Sequence, residues 1–116
     1  MNQLGVIATE TRGSALIASL DGEFDMSNVH DLRRRITDAT SGGTVRRLVV
    51  DLAAVTFLDS STVHLLLGLN DLCHERNIAL RISAPPGSRA ARVLEMAGAA
   101  SAVRMSSSLG DALAEG

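Results

Sequence analysis

Leu48-Val49-Val50, closed by Asp51-Leu52, is a short apolar run with no alternation in it. A strand that can spare neither face for water lies inside a sheet and needs helices packed on it. That requirement narrows the fold class more than any other feature of the chain. Composition agrees. Apolar residues make up 46% of the chain but aromatics only 2%, with no Trp or Tyr, so the core is built from Val, Leu, Ile, Ala and Met.

The segments around that run change period. Leu4 to Thr9 and Ala15 to Leu20 are short apolar runs, and Thr11-Arg12-Gly13 between them reads as a hairpin turn. Asp21-Gly22 breaks the second run. From Met26 the spacing is helical. Met26, Val29, Leu32, Ile36 and Ala39 share one face, and a helix is predicted over Ser27 to Thr40. Asp25 or Ser27 can cap it, and Ser41-Gly42-Gly43 ends it. After the central run, Phe57-Leu58 leads into Asp59-Ser60-Ser61-Thr62, four consecutive cap-type residues, and helical Leu and Val continue to Arg76. Ile78 to Ile82 is a further strand. Pro85-Pro86-Gly87 turns into a helix over Ser88 to Ala97, stopped by Gly98. Ala102 to Met105 and Ser108 to Ala114 complete the pattern as strand and helix, the helix capped by Ser106 or Ser107. The order β-β-α-β-α-β-α-β-α predicts an α/β domain, a mixed sheet of about five strands covered by about four helices.

The bulk numbers exclude several function classes. At 116 residues the chain suits one domain, residues 1–116. A net charge of −2, with every basic residue an Arg, gives no field for nucleic acid or an anionic membrane. Cys73 is the only cysteine, so no internal disulfide is available and a reducing compartment is expected. No apolar run approaches bilayer length and the N-terminus lacks a leader pattern, so the expectation is a cytoplasmic domain.

Val49-Val50-Asp51-Leu52-Ala53-Ala54-Val55-Thr56-Phe57-Leu58-Asp59-Ser60-Ser61 resembles the signature of the STAS family, which includes the bacterial anti-sigma factor antagonists. That signature is an apolar strand, Asp-Leu, a small connector, then Val-x-Phe-(Ile/Leu/Met)-Asp-Ser-Ser-Gly before a Leu-rich helix. Leu20-Asp21-Gly22-Glu23-Phe24-Asp25, Ile78-Ala79-Leu80-Arg81-Ile82 and Val93-Leu94-Glu95-Met96-Ala97-Gly98 are similar to further family stretches, in the family's order. The resemblance implies an anti-sigma factor antagonist. Its phosphorylated serine is the second of the pair, here Ser61. The implied partners are an anti-sigma factor serine kinase with a histidine-kinase-like ATP fold and a metal-dependent serine phosphatase. The unphosphorylated protein sequesters the kinase and frees a sigma factor. No cofactor is implied, since ATP sits on the kinase. The family's Gly after the serine pair is Thr62 here, which adds bulk where a kinase backbone approaches and offers a second, weaker acceptor hydroxyl. The alternative is a non-phosphorylated STAS subunit, a scaffold in a stress-sensing complex or a soluble component of a phospholipid transporter.

Residue chemistry supplies its own reading of the same place. A helix beginning at Asp59 to Thr62 offers unpaired N–H groups and partial positive charge, where a phosphate is tolerated. Phosphorylation adds roughly −1.5 to −2 charge. With Asp59 two residues away and Asp25 near if its strand end is adjacent, like charges then oppose a docked partner. The helix that follows is apolar over more than half its circumference. Its excess edge, Val63 and Leu67, either meets a partner or is wedged against a neighbouring helix. The partner-binding set is therefore Asp25, Asp59, Ser60, Ser61, Thr62, Val63 and Leu67. Asp59, Ser61 and His64 lack a nucleophile elbow and an oxyanion hole, so catalysis is not expected. His30, His64, His74 and Cys73 have no metal-ligand spacing. Arg33-Arg34-Arg35 reads as a solvated helix face beside Asp31 and Asp38, with a small docking role left open.

Overall fold

In the computed structural model, which describes residues 5–114, the strands β1 (Val6–Arg12), β2 (Ala15–Phe24), β3 (Arg47–Leu58), β4 (Ala79–Ser83) and β5 (Met105–Ser106) form a sheet in that order. β1 runs antiparallel to β2, and the other neighbours are parallel. The helices are α1 (Val29–Thr40), α2 (Ser60–Glu75), α3 (Arg89–Met96) and α4 (Leu109–Ala114). This is the expected α/β domain, with β3 at its centre. Leu48 and Val50 face one layer and Val49 the other, and all are sealed from solvent.

Strand alternation sorts the core into two unequal halves. Leu16, Ala18 and Leu20 of β2, Leu48, Val50 and Leu52 of β3, and Leu80 and Ile82 of β4 pack against α1, α2 and α3. On the reverse face Ile17 and Val49 cluster with Ala112 of α4, and Leu109 and Leu113 pack beside them. Arg47 reaches across this thinner layer and donates from Nη1 to the Ala112 carbonyl at 2.8 Å, satisfying an end group of α4.

Several boundaries differ from expectation. The hairpin turns at Gly13-Ser14, because Arg12 still pairs with Ala15. The predicted first strand included Leu4, which lies outside the described residues. Asp21-Gly22 does not end β2. Gly22 adopts φ 94°, and the pairing with β3 shifts register on either side of it, so the strand bends and continues to Phe24. β3 likewise runs through to Leu58. α1 starts at Val29 instead of Ser27, which leaves Met26 off the buried face and 73% exposed. Ala39 is exposed as well. The last strand is displaced to Met105–Ser106, and α4 is capped by Ser108, whose Oγ accepts from the Asp111 N–H at 3.1 Å. Gly98, at φ 75°, stops α3 as predicted, while Ser88, expected as its first residue, is instead its N-cap.

Candidate functional site

Phe24 and Leu58 are register partners at the carboxyl ends of two adjacent parallel strands. The crevice outside such ends is where open α/β sheets place their binding sites. The next residues are Asp25 and Asp59, so the segments that follow the two strands leave the sheet side by side. The strand ends are tied together. The Asp59 N–H donates to the Phe24 carbonyl at 3.3 Å, and Thr62 Oγ1 donates to the same oxygen at 3.1 Å.

Asp59 is the N-cap of α2. Its Oδ1 accepts from the Thr62 N–H at 3.1 Å, from Ser61 Oγ at 2.6 Å and from Thr62 Oγ1 at 3.3 Å. Partial burial pulls the Asp59 pKa upward. The donors from Ser61 and Thr62 outweigh it and hold the carboxyl below the usual carboxylate range. Ser60 is exposed at the tip and Ser61 is half-buried behind it. The Ser61 proton is directed at Asp59, not at His64.

Thr62 departs from the expectation attached to it. The residue is only 1% exposed, and its one hydroxyl proton is shared between the Phe24 carbonyl at 3.1 Å and Asp59 Oδ1 at 3.3 Å. It is no candidate acceptor, and its bulk points into the fold, away from any approaching chain. It fastens the α2 tip to β2. Val63 is also corrected: at 6% exposure it belongs to the core. Leu67 is half-buried against the same core. The broad apolar surface of α2 is thus used largely by the sheet and the flanking helices.

Asp25 makes a looser tip. Its Oδ1 accepts from the Ser27 N–H at 2.8 Å and Ser27 Oγ at 2.5 Å. Its own N–H donates to Asn28 Oδ1 at 2.9 Å, and Asn28 Nδ2 donates to the Glu23 carbonyl at 2.9 Å. Asp25 therefore caps the turn before α1, while Asn28 occupies the helix N-cap without a side-chain bond there.

Two grooves flank the α2 tip. The first, about 500 Å³, lies between α1 and α2 and is lined by Met26, Val29, His30 and Arg33 on one side and Ser61, His64 and Leu65 on the other. The second, about 520 Å³, lies between α2 and α3. Asp59, Ser60, Val63 and Leu67 face Val93, Met96 and Ala97 across it. Met96 is 86% exposed at its rim. Sequence reasoning missed Met26, Met96, His30 and His64 as members of this surface, and left a docking role open for the arginine run without singling out Arg33. The available signal was spacing: 26, 29, 30 and 33 fall on one helical side, as do 61, 64 and 65.

The Arg33-Arg34-Arg35 run resolves into separate roles. Arg34 pairs with Asp31 at 2.8 Å, Arg35 donates to the Ile7 carbonyl at 2.9 Å, and Arg33 turns to the first groove. Cys73 is buried while adjacent His74 is exposed, and no group of three or more His, Cys, Asp or Glu that could hold a metal occurs among the described residues. Nor is any helix among them long and apolar enough to cross a membrane.

Comparison with known proteins agrees with this architecture. The sequence model of the STAS domain matches residues 6–112. A curated relative, the anti-sigma F factor antagonist of Lysinibacillus sphaericus, is 36% identical over 66 residues, 57% of this chain and 53% of the relative. The chain thus spans about half the length of that relative. Among solved structures, an anti-sigma factor antagonist from Mycobacterium paratuberculosis superposes with a TM-score of 0.85 at 22% identity, covering 97% of this chain and 96% of that one. A sulfate transporter family protein from Wolinella succinogenes has the same fold, with a TM-score of 0.73 at 21% identity over 87% of this chain and 83% of that one.

Proposed function

Because this chain belongs to the STAS domain family, we propose that it is an anti-sigma factor antagonist whose partner binding is switched off by phosphorylation of Ser61. In this reading the unmodified protein sequesters an anti-sigma serine kinase in the cytoplasm and releases a sigma factor, and a metal-dependent phosphatase resets it. The observation that carries the reading is the placement of Ser61: half-buried at the mouth of a groove, on a helix tip pinned to the sheet, with its hydroxyl 2.6 Å from Asp59.

The chemistry follows from that geometry. The kinase transfers the γ-phosphoryl group of ATP. A bond forms from Ser61 Oγ to phosphorus, the bond from phosphorus to the ADP oxygen breaks, ADP leaves, and the hydroxyl proton passes to solvent. Asp59 aims the hydroxyl. Its Oδ1 holds the proton side of the hydroxyl at 2.6 Å and so orients the Oγ lone pairs away from itself. The product carries roughly −1.5 to −2 charge beside ionised Asp59 and close to Asp25. A kinase surface docked over Ser60, Ser61, Leu67 and the exposed Met26 and Met96 then faces concentrated negative charge. The domain keeps its fold, because the Thr62 bond to Phe24 and the Asp59 cap of Thr62 N–H do not pass through Ser61 Oγ.

Incubation with the anti-sigma kinase of the same organism and ATP, followed by mass mapping, tests this. Phosphate is expected on Ser61. No incorporation, or incorporation elsewhere, overturns the site. The second reading, favoured by the transporter-family neighbour, is an unphosphorylated subunit of a membrane transporter. It expects no phosphate on Ser61 and a stable complex with a membrane protein.

A further inference from the structure

We propose that the groove between α1 and α2 holds the Ser61 phosphoryl group in cis, with Arg33 as its counter-ion and His30 and His64 as flanking donors. This rests on the reading that Ser61 is phosphorylated. It adds where the phosphate goes, and which residues of this chain receive it.

The argument begins with what esterification removes. Ser61 Oγ now donates to Asp59 Oδ1 at 2.6 Å. Once esterified, Oγ has no proton to donate, and a phosphoryl group left in that direction would face an ionised carboxylate across the same short gap. The Ser61 side chain has other staggered positions available. On the side toward α1 lies a groove of about 500 Å³ lined by Ser61 itself. Its polar lining is His30, Arg33, Ser61 and His64, its apolar lining includes Val29 and Leu65, and no carboxylate lines it.

Arg33 is the cation to expect there. Arg34, its neighbour, is held by Asp31, and Arg35 is held by the Ile7 carbonyl. Among the described residues no hydrogen bond or ion pair engages Arg33, so its planar donor fork is available for a phosphate. α1 supplies His30 and Arg33 from successive turns of one side, and α2 supplies Ser61 and His64 from one side of its first turns. The counter-ion comes from a different helix than the phosphoserine, so the bond would also brace α1 against α2. The clamp turns the phosphate from Asp59 toward Arg33 and keeps it at the groove mouth, where a docked partner still meets its charge.

The test uses the full chain with phosphoserine installed at position 61 by genetic encoding, which removes any dependence on a kinase. The second ionisation of the phosphoserine is followed by ³¹P NMR. An adjacent cation favours the dianion, so Arg33→Ala is expected to raise that apparent pKa by about half a unit, a modest shift because the groove is open to solvent. Arg33→Lys is expected to restore most of it, and Arg34→Ala to leave it unchanged. The Arg33 effect is expected to persist when His30 and His64 are both replaced by Gln, which separates it from the two flanking donors. Thermal melting of each variant checks that the domain is intact. A titration identical in parent and Arg33→Ala overturns the clamp. That result would leave the phosphorylation reading standing, while failure of the kinase to modify Ser61 would end that reading without touching this measurement.

Discussion

Two Asp-x-Ser tips stand side by side at the carboxyl ends of β2 and β3. Asp25-Met26-Ser27 precedes α1 and Asp59-Ser60-Ser61 opens α2. In both, the serine hydroxyl donates to the aspartate Oδ1, at 2.5 Å and 2.6 Å. Their surroundings differ. Ser27 is exposed on a turn that the chain makes before its helix begins. Ser61 is already inside its helix, anchored one residue on by the buried Thr62 and set at the mouth of a groove lined by Arg33. The same local chemistry becomes a site only where the backbone is fixed and a second element supplies complementary groups.

The largest effect should separate the two serines. Ser61→Ala is expected to reduce phosphate incorporation by the kinase to background, and Ser27→Ala to leave it unchanged, read by intact-mass spectrometry. Equal loss from both would erase the distinction. Next in size is Thr62. Thr62→Val removes the side-chain donor to the Phe24 carbonyl, which keeps the Asp59 N–H, and a loss of about 0.5–1.5 kcal/mol is expected in denaturant unfolding. Thr62→Gly, which restores the family residue, should also destabilise without raising the rate at Ser61, since the threonine does not obstruct the surface. A large rate gain would contradict that placement.

Cap removal comes third. Asp59→Ala is expected to cost about 1 kcal/mol, and Asp25→Ala about half that, because Asp25 caps a turn through exposed partners. The Asp59 contribution should also depend on pH. Its folded pKa is depressed, so the stabilisation is present above the unfolded value near 3.9 and disappears as pH falls through the folded one. Asp59→Asn should flatten that acid limb of the stability profile. The smallest effect lies far from the tips. Burial pushes the Cys73 thiol up to about 11, with Arg76 pulling slightly the other way, so it should stay unlabelled by thiol reagents at pH 8 in the folded protein. Rapid labelling there would mean that α2 opens readily, tip included.

Much of this arrangement was legible in the chain. The unalternating Leu48-Val49-Val50 run demanded cover on both faces, and the helices on either side of the sheet provide it. The Asp59 cap was readable from four consecutive capping residues, and the STAS domain match over residues 6–112 agrees with the motif order. What was not legible depended on tertiary contacts. Asp21-Gly22 looks like a stop, but the positive φ of Gly22 and extra residues of β3 on either side of its pairing with Val55 carry β2 on to Phe24. Thr62 looks like a surface hydroxyl beside two others. Only the nearness of the Phe24 carbonyl, 38 residues away, turns it inward. Arg33, Arg34 and Arg35 are indistinguishable as letters, and their roles are assigned by Asp31, Ile7 and the second helix.

The central claim is that charge placed on Ser61 controls what this surface can hold. The most direct measurement is the affinity of the anti-sigma kinase for the unmodified chain and for the chain carrying phosphoserine 61, titrated side by side by calorimetry. Weakening of at least about tenfold, some 1.4 kcal/mol, is the expected result. Equal affinities, with both proteins folded, would contradict it.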